Sequence, residues 1–188
     1  MSNSFNSKEY WENRYKSGGN SGIGSQGIIA EYKAKIINDF VIDNNIQTAC
    51  ELGCGDWLFS LFTIPDYTGF DVSQFVIDRN KMNYNHKFTT SMADLTTYDL
   101  TISMDVILHL IEQDVYLQYM KDLFRLSNKY VIIYSTNKDE VLGGIHNLFR
   151  KFMPDVPQEF KLIKFLDNPY KGDDTQADFF IFERIQND

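Results

Sequence analysis

Thr48-Ala49-Cys50-Glu51-Leu52-Gly53-Cys54-Gly55-Asp56-Trp57 is an apolar run that ends in an acid and breaks into a Gly-x-Gly turn before a new helical pattern. It reads as strand, tight loop and helix. Two glycines one residue apart let the backbone bend sharply and put no Cβ in a ligand's way, so main-chain amides can face a bound group. Twenty residues beyond Glu51, the apolar segment Tyr67-Thr68-Gly69-Phe70 ends in Asp71, the spacing at which a βαβ unit sets a carboxylate beside ribose hydroxyls. These features predict a nucleotide site.

On the N-terminal side, residues 7–16 predict a short helix with Trp11 and Tyr15 one turn apart. Four of the eleven glycines fall between Gly18 and Ser25, a loop that serves either as a linker or as a flap over a site. From Gln26 to Asp43 the residues Ile29, Tyr32, Ile36, Ile37, Phe40 and Val41 recur at helical spacing, with Glu31, Lys33, Lys35 and Asp39 between them. On the C-terminal side, Asp56 is placed to cap a short helix through Phe62, and strands are expected at Tyr67–Phe70, Lys87–Ser91, Leu100–Met104 and Lys129–Ser135. Helices at Gln74–Met82, capped by Ser73, and at Glu112–Leu126 separate them. Ile145–Met153 also has a helical pattern. The last two strands, Phe160–Leu166 and Ala177–Arg184, are joined by a turn too short for a crossover helix and should pair antiparallel. The expected fold is an α/β, doubly wound, mostly parallel seven-stranded sheet with an antiparallel C-terminal hairpin, a helical cap over about 7–44 and a core over about 46–184.

The length of 188 residues fits one domain with a substantial core, and 43% hydrophobic content supports a globular chain. No run of eighteen apolar residues exists and the first residues are polar, so neither a membrane span nor a secretory leader is indicated and a cytoplasmic location is expected. Cys50 and Cys54, four apart, fit buried thiols better than a redox pair or half of a zinc site, and no metal is expected. A formal charge of −8 opposes sequence-independent nucleic-acid binding.

The Glu-Leu-Gly-Cys-Gly loop, the acids at Asp71 and Asp94 after the next two strands, and the strand Asp99–Asp105 resemble the motifs of class I S-adenosylmethionine-dependent methyltransferases, in register over roughly Trp11 to Glu183. The resemblance implies that S-adenosylmethionine is the cofactor. Glu51, Gly53, Cys54 and Gly55 would form its glycine loop, Asp71 its ribose acid and Asp94 its adenine-side acid. Val72 and Leu95, with Met92, would form an apolar slot, and Met104 would end the strand that faces the methyl group. Trp57 stands where the family commonly has a third glycine, so its indole turns either toward the ligand or into the core. Asp56-Trp57, Tyr10–Tyr15 and Ser21–Ser25 are similar to a subset found in sugar and cell-surface polysaccharide pathways, which implies a small-molecule or glycan acceptor.

A hydroxyl acceptor must lose a proton during methyl transfer. His109, just after the fourth strand with Asp105 and Glu112 as its titratable neighbours, is the candidate base, and Asp105 is its candidate catalytic partner. The alternative for His109 is a backbone hydrogen bond at a helix start. His146 and Arg150, one turn apart if a helix carries them, are candidates to hold an anionic group, or else form a solvated basic face. Tyr15, with Trp11 and Tyr170, could wall the acceptor pocket. Two other functions fit parts of the pattern. One is an NAD(P)-dependent oxidoreductase or epimerase, although Leu58 occupies the place of its third fingerprint glycine. The other is a non-catalytic cofactor-binding module.

Overall fold

The computed structural model describes residues 5–141, 146–172 and 174–186. Four α-helices, α1 (Ser7–Lys16), α2 (Gly27–Asp43), α3 (Gln74–Asn83) and α4 (Gln113–Arg125), surround the strands. These are β1 (Thr48–Leu52), β2 (Asp66–Phe70), β3 (Lys87–Thr89), β4 (Tyr98–Met104), β5 (Ser127–Ser135), β6 (Glu140–Val141), β7 (Leu148–Phe149), β8 (Phe160–Leu166) and β9 (Asp178–Arg184). Seven of them form one sheet in the order β3-β2-β1-β4-β5-β9-β8, while β6 and β7 pair separately. The first five are parallel, and β9 runs antiparallel to both β5 and β8, as the short connection between the last two strands requires.

Alternation along the strands divides the core into two layers. On β9, Phe179 and Ile181 join the layer holding Ile37, Phe40 and Val41 of α2, while Phe180 and Phe182 join the layer holding Met120, Leu123 and Phe124 of α4. Both faces of the sheet are thus covered, which explains the nearly continuous apolar run of β5. Edge strand β8 carries Lys161 and Lys164 in a mostly exposed row. Among the described residues no helix is long and apolar enough to cross a membrane.

Three local expectations are corrected. The segment at 145–153 is not a helix where it is described: Leu148–Phe149 is a strand paired with Glu140–Val141, and Met153–Asp155 is a 3₁₀ turn. Nine residues closed off by Pro154 gain too few helical bonds to offset nucleation, whereas β6 supplies backbone partners directly. Gly143, Gly144 and Ile145 lie outside the described residues. The helix after the glycine loop is one 3₁₀ turn, Leu58–Leu61, and Asp56 does not cap it. Its carboxylate instead accepts from the Ser21 hydroxyl at 2.5 Å and the Ser21 amide at 3.3 Å. Lys33, expected among the solvent-facing positions of α2, is fully buried.

Candidate functional site

The carboxyl ends of β1, β2 and β4 meet below α1 and enclose a cavity of about 320 Å³, within the lower range of small-molecule sites. Its floor is the glycine loop. Gly53 and Gly55 have φ of +82° and +59°, and a Cβ on Gly53 would stand 2.5 Å from the Val106 side chain. The loop amides, expected to face a ligand, already have partners within the chain. Gly53 N and Cys54 N donate to the Phe70 carbonyl at 2.7 and 2.9 Å, Gly55 N to Asp71 Oδ2 at 3.0 Å, and Asp56 N to the Ser21 hydroxyl at 3.3 Å. Asn80 Nδ2 on α3 donates to the Gly55 carbonyl at 2.8 Å. The loop therefore offers a ligand its shape and lack of side chains more than its amides. Trp57 packs against the core layer of α2 and does not line the cavity.

Two buried carboxylates line the floor. Burial pushes Asp71 up to about 6 despite the amides of Ser73 (2.9 Å to Oδ1) and Gly55. Burial likewise pushes Glu51 up to about 8, although the Tyr67 hydroxyl donates to it at 2.5 Å. Cys54, Val72 and Met104 line the same cavity. Asp94 and Leu95 do not: Asp94 is exposed and accepts from the Thr89 hydroxyl at 2.6 Å, while Leu95 is buried in the core layer of α4.

The roof is α1, whose Ser7, Lys8, Trp11 and Tyr15 share the face turned to the cavity. Carboxylates secure both ends of this helix. Glu112 accepts from the amide of Ser7 at 2.7 Å and from its hydroxyl, at the positive end of the helix dipole. Toward the other end, Glu12 accepts from the Ser73 hydroxyl at 2.6 Å and the Phe75 amide at 3.2 Å, capping α3. The Ser73 bond, helped by Lys16, holds Glu12 down at about 2. A depressed carboxylate stabilises above its ordinary value of 4.5 and stops doing so as the pH falls toward about 2. The roof is therefore expected to loosen on acidification through that window. In a Trp57→Phe background, Trp11 fluorescence should shift between these pH values, and Glu12→Gln should already show the shifted spectrum at neutral pH.

His109 sits half-buried in the cavity wall, its ring edge-on to Trp11 at 4.9 Å and stacked on His146 at 5.9 Å. Its Nδ1 lies 3.0 Å from the His146 carbonyl, which can only accept, so Nδ1 carries the proton and Nε2 is the basic nitrogen of the neutral ring. Burial lowers its pKa, against the raising effect of that carbonyl. His146 does not line the cavity; it fixes His109 through its carbonyl, while its ring stacks on Tyr10 at 5.0 Å. Arg150 is also outside. Its guanidinium donates to the carbonyls of Leu110 at 2.8 Å and Ile111 at 2.9 Å and to Gln113 at 2.7 Å, locking the entry to α4 instead of facing a ligand. Tyr15 does line the cavity, its hydroxyl 3.0 Å from that of Ser21.

Three contributors are not among the expected site residues. Lys33 pairs with Asp105 at 2.5 Å, Ser21 covers the glycine loop, and Tyr119 of α4 lines the cavity with its hydroxyl bonded to Ser103 at 2.7 Å. Two of them had a readable signal: Ser21 lies in the Gly18–Ser25 loop with its flap reading, and Ile29, Lys33, Ile37 and Val41 form one i, i+4 row on α2.

No family model and no curated protein matches the chain. Solved structures do. Magnesium protoporphyrin IX methyltransferase from Synechocystis PCC 6803 with bound SAM superposes with a TM-score of 0.71 at 15% identity, over 98% of this chain and 100% of that one. The N-methyltransferase NodS from Bradyrhizobium japonicum WM9, in complex with S-adenosyl-L-homocysteine, gives 0.71 at 11% identity over 97% and 100%. The 1,6-didemethyltoxoflavin-N1-methyltransferase of Burkholderia thailandensis, with its namesake compound and S-adenosylhomocysteine bound, gives 0.68 at 11% over 95% and 87%. Likeness at these identities establishes architecture: the chain has the Rossmann-like methyltransferase fold.

Proposed function

We propose that the chain is a methyltransferase that uses S-adenosylmethionine and acts on a small-molecule or glycan acceptor. The observation that carries this is the pair of buried carboxylates, Glu51 and Asp71, both pushed upward by burial inside a cavity whose lining, among the described residues, has Lys8 as its single Lys or Arg. Such a site suits a positively charged ligand. S-adenosylmethionine, when bound, supplies an electrophilic methyl group on a cationic sulfur. The Asp71 oxygens each retain a lone pair beyond the main-chain bond they accept, enough to hold a ribose diol. Val72 and Met104 offer apolar contact, and α1 covers part of the cavity with Trp11 and Tyr15. The chain acts as one domain capped by residues 7–44, in the cytoplasm. The 1,6-didemethyltoxoflavin bound in the Burkholderia structure supports a small acceptor, and the sugar-pathway resemblance of Tyr10–Tyr15 adds glycan intermediates to the acceptors worth screening.

His109 takes the proton that an O–H or N–H acceptor releases, because its Nε2 is unprotonated and its ring is fixed by the His146 carbonyl. His109→Gln is expected to bind the donor as the wild type does and to lose about 10²–10⁴-fold in kcat. With the folded pKa lowered from 6.5, wild-type turnover should fall only as the pH drops below that value. Undiminished turnover in the variant would remove His109 from the mechanism. Titration calorimetry with S-adenosylmethionine and S-adenosylhomocysteine tests the cofactor, with NAD as the control ligand. The absence of both heat and thermal shift at millimolar concentration would end the proposal.

A further inference from the structure

We infer that Lys33 is a positioning residue of this site, its ammonium tying Asp105 and the Gly22–Ser25 turn together so that one Asp105 oxygen is left for the ligand. The inference rests on the donor site proposed above. Lys33 is fully buried on α2, in the row otherwise filled by Ile29, Ile37 and Val41. A buried cation is costly unless its partners are complete, and an aliphatic residue would suit that row better if packing alone mattered. The partners are complete. The ammonium donates to Asp105 Oδ2 at 2.5 Å and to the Gly24 carbonyl at 2.7 Å, and lies 4.5 Å from the centre of the Tyr134 ring. Tyr134 is itself held, its hydroxyl 3.0 Å from that of Thr175 and accepting from Asn168 at 2.8 Å.

Both hydrogen-bond partners of Lys33 belong to the cavity wall or lead into it. Asp105 follows β4 directly with φ of +56°, a left-handed conformation that Asp tolerates, and its side chain lines the cavity. Among the described residues Oδ1 has no hydrogen-bond partner, so the ammonium occupies one oxygen and the other remains for an ammonium, N–H or O–H of a ligand. Gly24 approaches so closely that a Cβ there would stand 3.2 Å from Asp105 Oδ2. The same turn carries Ser25 into the lining, and Ser21 just before it covers the glycine loop. Loss of the ammonium therefore frees the Asp105 carboxylate and releases the N-terminal segment together.

A double-mutant cycle tests this. Binding of S-adenosylhomocysteine is measured by calorimetry for the wild type, Lys33→Met, Asp105→Asn and the double variant. Each single change should weaken binding by about tenfold or more, with the double variant within about threefold of the weaker single, because both remove one device. Multiplied effects, or no effect of Lys33→Met, would overturn the inference. Should Lys33→Met not fold, amide exchange in Asp105→Asn decides: the Ser25 and Gln26 amides, bonded to Gly22 and Ile23 carbonyls, should exchange about tenfold faster than in the wild type. Unchanged exchange overturns the tether. A wild type that binds no S-adenosylhomocysteine overturns the proposed function instead, and the exchange measurement still decides the tether.

Discussion

Asp71→Asn is expected to weaken S-adenosylmethionine binding by about 100-fold and to cost the free protein about 1–3 kcal/mol. The change preserves size, so the effect comes from hydrogen-bond polarity. Both carboxylate oxygens accept from main-chain amides, Oδ2 from Gly55 at 3.0 Å and Oδ1 from Ser73 at 2.9 Å. Asparagine has one accepting oxygen. Whichever way its amide is turned, an NH₂ faces an N–H in a buried site, and either the glycine loop or the entry to α3 must shift. The ribose diol then loses a charged acceptor whose two bonds are each worth about 1.5–3 kcal/mol. The same substitution at Asp94 is expected to change donor affinity by less than about threefold, since Asp94 is exposed and held by the Thr89 hydroxyl outside the cavity. Calorimetric titration of the two variants checks both statements. Equal losses at 71 and 94 would restore the adenine role to Asp94, and an unchanged affinity at 71 would remove its ribose role.

The contrast between these acids shows what the sequence could reveal. Periodic features report the face on which a residue lies, so the strands β1, β2 and β5 and the helices α2 and α4 were legible, as was the antiparallel ending. Asp71 was legible as well, since a carboxylate at a central strand end has few places to go. Polar partners brought from distant segments were not. The glycine loop reads locally as a row of free amides, yet the acceptors that occupy them come from Phe70, Asp71 and Ser21. His146 and Arg150 suggested a shared helical face, but pairing of β7 with β6 removed the helix, leaving one to act through its carbonyl and the other to bind carbonyls. Lys33 was misread for a different reason. Its row on α2 was apolar and visible, but a charged residue is ordinarily assigned to solvent, and only the approach of Asp105 from β4 reverses that.

Glu51→Gln is expected to make the free protein more stable at pH 8.5 while weakening its hold on the donor. Burial raises Glu51 from 4.5 to about 8 and Asp71 from 3.8 to about 6. For groups raised in the folded state, the stabilising contribution is complete below the unfolded values and is lost as the pH rises through about 6 and then about 8. Holding Glu51 ionised in the empty cavity therefore costs on the order of 5 kcal/mol above pH 8, at 1.36 kcal/mol per unit. Glutamine avoids that cost and still accepts from the Tyr67 hydroxyl. A cationic ligand has the opposite preference. It favours the ionised carboxylates, so donor affinity should rise between pH 6 and pH 8, and binding at pH 7 should release protons, seen as a dependence of the observed heat on the ionisation enthalpy of the buffer. The variant should lose the proton release and the upper part of the pH dependence, keeping the lower limb that belongs to Asp71. A wild type whose affinity is flat from pH 6 to pH 8 would show that neither acid senses the positive charge of the ligand. With the expected rise, the glutamate that most destabilises the empty site is the one whose ionisation is most strongly coupled to its filling.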